Sequence, residues 1–464
     1  MRGTTVRRRP RPWPANGLDG ETGAYLADFR TPEELLEQVR QEALPPERAR
    51  ELHRRRQFAL RPHLGPIDGI DPDKLAEAGW GVVFAAGTEP EIREALQPLL
   101  DHRRNQAGSL YRVLEHSGEG KLLFLAQAGS GPGPVDPRKL PYYLLLVGGL
   151  EDIPLDFQYQ LDVQHAVGRL HFDGPDRHQA YRSYAERVVK AETEGIHRPR
   201  RAVLFGTANP GDPATRLTHD HLLQPLGRFL RRKPGPWEVS MVAGAAAVKE
   251  RLVSLLTDEA PALLFATVHG LGFREDDPRQ RLAQGALVCQ DWNGPGSGMS
   301  PGCYVTADDL DGEADCTGLL VLLLACFSAG TPIYNDFVRR GPEEPATVAP
   351  EPFIAALPQK LLRQGALAVV GHVDRLWGYS FYWPRSGEHL PTFQDALGRL
   401  LEGKPLGWAM ESFNLRYAEL ATDLLWGQLR RSPDDLLDEG AFWTALLDAR
   451  NYVILGDPAV RLPL

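Results

Sequence analysis

A series of short apolar runs, each bounded by glycine or proline, most constrains how this chain can fold. "GLLVLLLAC" ends in a cysteine and "ALLFATVHG" in a histidine and a glycine; the full set covers 80–87, 121–129, 142–149, 201–208, 237–244, 262–270, 318–326, 366–374 and 452–460. The runs are nearly continuous rather than alternating, which is typical of strands covered on both faces. They predict the strands of a buried, mostly parallel sheet.

Segments with helical periodicity separate these runs. They are 32–44, 91–106, 176–194, 217–232, 247–259, 352–365 and 393–403. Alternation of strand and helix predicts an α/β protein with right-handed crossovers. We expect a basic arm and helical segment over 1–70, a smaller α/β subdomain over 71–198 and a larger domain over 199–464, with a junction at "HRPR".

Charge and cysteine content narrow the class of protein. The net charge of −9 argues against a general nucleic-acid binder. The exception is the arm with Arg2, Arg7, Arg8, Arg9 and Arg11, predicted to be a disordered tail or a segment that binds nucleic acid or a partner. It has no apolar core of a secretory signal, and no run is long enough to span a membrane. The four unevenly spaced cysteines fit a reducing cytoplasm, without a disulfide framework or zinc site.

Two consecutive predicted strands end in reactive side chains, His269 and Cys326. In an open α/β sheet, ligands bind beyond the carboxyl ends of the strands. If these strands are neighbours, the imidazole and the thiol face one crevice as in Cys–His nucleophilic catalysis. The N–H groups of Gly270 and Cys326 are then candidates for an oxyanion hole. The alternative is that His269 is structural and Cys326 is an inert core residue.

The motifs around these residues resemble those of caspase-like cysteine peptidases. "ATVHG" and, 57 residues after its histidine, the cysteine of "LLLACFSAG" are similar to the strand-His-Gly and strand-Ala-Cys signatures of that group. Segments 144–170, 365–381 and 452–462 resemble parts of gingipain-like and CHAT-domain bacterial members. The resemblance implies a caspase-like three-layer α/β/α fold, and it covers roughly residues 75–464.

Carried over by residue, the resemblance makes His269 and Cys326 the catalytic dyad. Asp152 in "EDIP" would lie at the base of the substrate pocket, where a carboxylate favours Arg or Lys. Asp374 and Trp377 would line the same pocket. The alternatives are that Asp152 caps a turn, that Trp377 is packing and that Asp374 is a turn cap.

Together these features predict a cytoplasmic cysteine endopeptidase that cuts a protein or peptide substrate after a basic residue. Self-cleavage at Arg279, Arg281, Arg339 or Arg340, or docking of an activating partner, would switch it on. The resemblance requires no cofactor, leaves a structural calcium ion open, and suggests a place in a bacterial antiviral defence module. The competing predictions are an inactive scaffold that binds a peptide or protein, and another α/β hydrolase or transferase that uses Cys326.

Three further features of the sequence are interpreted as structural rather than functional. "GTANPGDPAT" (206–215) follows a strand but lacks the patterns of phosphate-binding loops. Ser328 lacks the surroundings of a nucleophile elbow and is predicted to be a turn residue. Asp457 in "LGDPA" is also predicted to be a turn residue.

Overall fold

The computed structural model describes residues 65–194, 198–259, 261–310, 314–335, 337, 347–383, 386–430 and 436–462. The basic arm, the helix predicted over 32–44 and the loop arginines Arg339 and Arg340 lie outside these residues. No described helix combines the length and the hydrophobicity that crossing a membrane requires.

The described strands follow most of the predicted apolar runs closely. They are β1 (Trp80–Ala85), β2 (Tyr111–His116), β3 (Tyr143–Val147), β4 (Ala166–Leu170), β5 (Arg201–Gly206), β6 (Glu238–Ala243), β7 (Leu263–Thr267), β8 (Leu287–Val288), β9 (Tyr304–Val305), β10 (Leu320–Leu324), β11 (Gly330–Thr331), β12 (Phe353–Ile354), β13 (Ala368–His372), β14 (Tyr382–Trp383), β15 (Gly387–Glu388) and β16 (Tyr452–Gly456).

The helices lie between these strands, as the alternating pattern predicts. They are α1 (Leu75–Ala78), α2 (Pro90–Ala95), α3 (Gln97–Ala107), α4 (Lys121–Gln127), α5 (Leu155–Asp162), α6 (Arg177–Thr193), α7 (Pro213–Thr218), α8 (Gln224–Arg232), α9 (Lys249–Leu256), α10 (Gln280–Ala283), α11 (Ala356–Arg363), α12 (Pro391–Leu401), α13 (Leu406–Ala409), α14 (Glu411–Arg430) and α15 (Leu436–Arg450). A π-helical turn, His219–Leu223, joins α7 to α8.

Ten strands form one sheet, in the order β2-β1-β3-β4-β16-β13-β10-β7-β5-β6. Strands of both predicted α/β parts therefore share a single sheet. All pairings are parallel except that of β13 with β16, which is antiparallel. The strands from β2 to β16 in this order consequently run opposite to those from β13 to β6. The predicted α/β class with a mostly parallel sheet is confirmed.

Alternate residues of β1 pack into two separate apolar clusters, so both faces of the sheet are covered at this strand. In β1, Val82 and Phe84 belong to the larger cluster, which also takes in apolar residues of α3 and α6. Val83 and Ala85 belong to a second cluster, with Phe124 of α4 and Phe157 of α5. The near-continuous hydrophobicity of the runs reflects this double burial.

One predicted strand is wrong. Residues 121–129 contain the helix α4, which buries Phe124 and Leu125 and leaves Leu122 and Leu123 exposed. The stretch has leucine and alanine but no β-branched residue, a composition that favours helix over strand. The structure also adds strands β2 and β4, which the apolar runs did not predict.

Candidate active site

Strands β7 and β10 are parallel neighbours, and their register carries the two predicted catalytic residues to the same edge. Thr267 at the end of β7 pairs with Leu324 at the end of β10. His269 and Cys326 each follow two residues later. Neighbouring strands lie about 4.8 Å apart, so the two chain segments leave the sheet side by side. The condition on which the Cys–His interpretation depends, that these two strands are neighbours, is met.

Gly270 is the point of closest approach between the two segments. A Cβ atom at this position would lie 1.8 Å from the backbone oxygen of Cys326, closer than any real contact permits. Glycine is therefore required for the chains to come together. The backbone N–H of Gly270 is near enough to the thiol of Cys326 to lower its pKa. A predicted oxyanion donor thus lies directly beside the predicted nucleophile.

Cys326 is a partly exposed residue, and its thiol accepts a hydrogen bond from the backbone N–H of Leu376, 3.3 Å from Sγ. Burial raises the pKa of this thiol, and the negative charges of Asp374 and Asp448 raise it further, against the opposing effect of the Leu376 and Gly270 N–H groups. The resting group is therefore the neutral thiol. A nucleophilic reaction here needs a base to remove the proton.

Backbone strain in the described part of the chain is concentrated next to this thiol. Only two described residues other than glycine have positive φ, Phe327 at 58° and Asp374 at 71°. The N–H of Phe327 donates to the carbonyl oxygen of Asp374 at 2.8 Å, so the strained residues support each other. Strained backbone conformations of this kind are commonly found at functional sites, where they position a reactive group.

Asp212 orients the imidazole of His269. The Nε2 atom of His269 lies 2.8 Å from Oδ2 of Asp212, which leaves Nδ1 for proton transfer. Asp212 is buried and caps α7, accepting hydrogen bonds from the N–H groups of Ala214 and Thr215. Burial raises the pKa of Asp212, but hydrogen bonds from Thr215 and His269 outweigh it and leave the pKa lowered. An ionised carboxylate therefore faces His269.

Asn209 connects the Asp212 loop to a second segment that contacts His269. Its Nδ2 donates to the carbonyl oxygens of Cys289 at 3.1 Å and Trp292 at 2.8 Å. The ring of Trp292 meets the His269 ring edge to face, with centroids 5.9 Å apart. The imidazole is thus held by a carboxylate and an aromatic ring from two loops that Asn209 joins.

Asp212 is not among the residues predicted from the sequence, although a signal for it exists. An aspartate followed by proline, as in "GDPAT", is typical of a helix N-cap followed by the first helical residue. The helix follows β5, which pairs with β7 in the sheet. A capping carboxylate at the carboxyl end of the strand next to the histidine strand is well placed to reach the imidazole.

The structure brings two of the three predicted substrate residues to this site. Asp374 is buried and close enough to Cys326 for its charge to affect the thiol. Trp377 follows Leu376, the donor to Sγ; its N–H donates to Asp448 at 2.8 Å and its side chain is 40% exposed. That Asp374 and Trp377 contact the substrate is a prediction.

Asp152 lies elsewhere, and its predicted place in the same pocket is corrected. It follows the carboxyl end of β3, and β3 runs opposite to β10 because β16 pairs antiparallel with β13. Asp152 is therefore at the opposite edge of the sheet from Cys326. Its Oδ2 accepts from the N–H of Gly149 at 3.1 Å, consistent with the turn-cap alternative, and it lines a separate cavity of about 330 Å³.

Ser328 is a turn residue, as predicted. Its hydroxyl donates to the Ala325 carbonyl at 2.7 Å and accepts from the N–H of His372 at 3.0 Å. Across the described ranges, no group of three or more His, Cys, Asp or Glu side chains is arranged to hold a metal ion.

Solved structures with similar folds include cysteine proteinases. The Arg-specific cysteine proteinase gingipain R is 13% identical, with a TM-score of 0.49, covering 86% of this chain and 80% of that one. The pro- and mature-domain complex of RgpB from Porphyromonas gingivalis is 12% identical (TM-score 0.48; 82% and 79%). The Saccharomyces cerevisiae separase–securin complex is 11% identical (TM-score 0.33; 68% and 16%).

No protein-family model and no curated protein matches the sequence. At these identities the likeness concerns the fold alone.

Proposed function

We propose that this protein is a cysteine endopeptidase in which Cys326 is the nucleophile and His269 the general acid and base. The observation that carries the proposal is the β7–β10 register, which sets the two residues side by side with the Gly270 N–H at the sulfur. The hydrogen bond between His269 and Asp212 supplies the orienting group that such a dyad needs.

The residues fit a stepwise hydrolysis. His269 takes the proton of the Cys326 thiol, and Sγ attacks the carbonyl carbon of the peptide. The N–H groups of Gly270 and Cys326 stabilise the resulting oxyanion. His269 then gives its proton to the leaving amine, which departs and leaves a thioester on Cys326. A water molecule, deprotonated by His269, attacks the thioester and releases the carboxylic acid and the free thiol.

A preference for cleavage after Arg or Lys is the finer part of the proposal. Asp374 supports it, because it contributes negative charge next to the nucleophile. Asp152 lies at the other edge of the sheet. Its carboxylate therefore does not support the preference for Arg or Lys. A basic side chain in the substrate would be drawn to the carboxylates near Cys326 rather than to that position.

The test uses acyloxymethyl ketone probes that carry Arg, Asp or Leu next to the reactive group. We expect the Arg probe to label Cys326 in the wild type, with no label in Cys326→Ala or in protein unfolded before exposure. Mass spectrometry of the labelled peptide identifies the site. Labelling only by the Leu or Asp probe would keep the peptidase proposal and reject the basic preference.

The raised pKa of Cys326 favours one alternative, a scaffold that binds peptides in the same crevice without cutting them. Silence of all three probes, together with binding of library peptides that Cys326→Ala leaves unchanged, would support the scaffold. A complementary measurement is a peptide library analysed for cut sites. Cleavage that disappears in Cys326→Ala excludes the scaffold.

Activation by self-cleavage is a separate question. Arg279 and Arg281 lie after His269 in an exposed region, with side chains 64% and 50% exposed. We propose that this segment is a cleavage site, with docking of a partner protein as the other route. If the wild type gives no fragment that Cys326→Ala lacks after prolonged incubation, self-cleavage is rejected.

A further inference from the structure

Cys289 and Cys303 lie opposite each other at the end of a short antiparallel pair. β8 and β9 pair Val288 with Tyr304, and one further step along the ladder places Cys289 opposite Cys303. The N–H of Cys289 donates to the carbonyl oxygen of Cys303 at 2.8 Å, which continues the ladder. Opposite residues in such a pair have Cα atoms roughly 5.5 Å apart, within the range that disulfides span.

The two thiols differ in environment. Cys289 is fully buried, and burial raises its pKa to about 12. Cys303 is partly exposed, with its sulfur 3.3 Å from the Ser300 hydroxyl and 3.5 Å from the carbonyl oxygen of Asp291. A solute therefore reaches Cys303 first, while Cys289 is positioned behind it. This asymmetry is typical of an attacking and a resolving cysteine.

The segment between them, 290–302, contains a residue of the candidate active site. Trp292 packs its ring against His269. The segment is also tied to that site at its start, since the Val288 N–H donates to the His269 carbonyl at 2.9 Å and the Cys289 carbonyl accepts from Asn209. A covalent link between Cys289 and Cys303 would close this segment into a loop at its two ends.

We propose that Cys289 and Cys303 form a redox-sensitive pair that a peroxide converts to a disulfide, fixing the Trp292 loop beside His269. Because it assigns regulation to the proposed peptidase site, the functional consequence rests on the proposed function. The Cys303 sulfur attacks one peroxide oxygen and the O–O bond breaks; the thiol proton passes to the departing hydroxide, so that the products are a sulfenic acid on Cys303 and water. The Cys289 sulfur then displaces water from that sulfenic acid, forming the S–S bond; the peroxide is reduced and the two thiols are oxidised.

The experiment uses the full chain with Cys326→Ala, so that the proposed nucleophile cannot react. After hydrogen peroxide treatment, we expect the intact mass to fall by two hydrogen atoms and non-reducing peptide maps to contain a Cys289–Cys303 link. Dithiothreitol should reverse both changes. Cys303→Ser in the same background is the matched control, because it removes an exposed thiol and should give no link. Buried Cys316 should stay alkylatable after unfolding.

The effect on the loop is measured by hydrogen exchange of the amides in 293–302. We expect exchange to slow several-fold on oxidation of the Cys326→Ala protein and to be unchanged by peroxide in the Cys303→Ser variant. A peroxide-treated protein in which both thiols can still be alkylated, or in which Cys303 is oxidised further without a link, overturns the proposal. Because the nucleophile is absent, this result is independent of whether the protein is a peptidase.

Discussion

At the scale of single residues, the candidate site depends on a thiol that is neutral at rest. Burial and the charge of Asp374 hold the pKa of Cys326 above its ordinary value, so at pH 7 the thiolate fraction is smaller than for an exposed cysteine. In the mechanism that we propose, the thiolate of Cys326 would therefore be generated by proton transfer to His269 rather than stored as an ion pair. This distinguishes the site from cysteines whose surroundings stabilise the thiolate.

The reaction of Cys326 with iodoacetamide should report this pKa. We expect the rate to rise about tenfold per pH unit from pH 7 and to level off only above the ordinary cysteine value. Asp374→Asn removes a negative charge and tolerates the positive φ, so its profile should shift to lower pH and its rate at pH 7 should rise about two- to tenfold. Peptide mass spectrometry separates Cys326 from Cys303.

Asp374→Glu is the control for that measurement, because it keeps the charge. Its profile should stay close to that of the wild type, apart from any cost of positive φ to stability. If Asp374→Asn leaves the pH profile unchanged, the carboxylate does not influence the thiol and the electrostatic account of the site is wrong.

Asp212 has two roles that substitution can separate. Asparagine caps helices about as well as aspartate, so Asp212→Asn should keep the thermal midpoint of the protein. It removes the charge that stabilises protonated His269, and we expect kcat for peptide cleavage to fall about 10- to 100-fold with KM little changed. Asp212→Ala should lose both activity and stability.

Asp220→Ala serves as the comparison, since Asp220 pairs with His219 at an exposed position. We expect neither kcat nor the thermal midpoint to change in this variant. Equal activity in Asp212→Asn and wild type would show that Asp212 is only a helix cap.

At the scale of secondary-structure elements, the site depends on how closely the ends of β7 and β10 approach. The contact between Gly270 and the Cys326 backbone leaves no space for a side chain. The strands themselves are buried along their whole length, so neither can shift without disturbing the core. The spacing between the backbones at Gly270 and Cys326 is thus set by the sheet.

Gly270→Ala tests this spacing. The added methyl group must push the two segments apart, and we expect a loss of about 1–3 kcal/mol in the free energy of unfolding by urea. Labelling of Cys326 by the preferred probe should fall by more than the fraction of protein that this loss of stability would unfold. Gly131→Ala is the matched control, since that position has open space and no positive φ. A Gly270→Ala protein that is labelled like the wild type would contradict the close approach.

The sequence predicts these elements unevenly, for identifiable reasons. Doubly buried strands such as β7 and β10 are recognisable because apolar residues must fill both faces. The edge strand β2 was missed because "YRVLEH" is only partly buried, and α4 was misassigned because a short leucine-rich run is compatible with either structure. The local sequence pattern indicates which residues are buried, but burial alone does not determine whether a segment forms a helix or a strand.

The site was predictable to the extent that it follows from neighbouring strands. His269, Gly270 and Cys326 could be placed together because successive parallel strands end at one edge. Asp152 could not be placed correctly, because the reversal of direction between β16 and β13 is a long-range pairing that no local segment records. Sequence separation rather than residue chemistry limited the prediction.

At the scale of the whole sheet, the last strand in the chain joins its two halves. β16 lies between β4 and β13, parallel to one and antiparallel to the other. Asp457 follows it directly and is fully buried. Its carboxylate accepts hydrogen bonds from Trp80 Nε1 at 3.0 Å and Arg103 Nε at 2.6 Å, which belong to β1 and α3. The turn residue predicted from "LGDPA" therefore also anchors the strand to the first half of the sheet.

Asp457→Ala should destabilise the protein far more than an ordinary loss of an ion pair. Arg103 is itself buried, and its remaining carboxylate partner is Glu192, so removing Asp457 leaves a buried charge poorly compensated. We expect the free energy of unfolding by urea to fall by about 3–5 kcal/mol. Asp101→Ala, which breaks the exposed pair with Arg104, should cost about 0–1 kcal/mol. Because Asp457 is not part of the candidate site, folded Asp457→Ala protein should label at Cys326 like the wild type. Similar losses for the two variants would mean that β16 is held by its strand pairings alone.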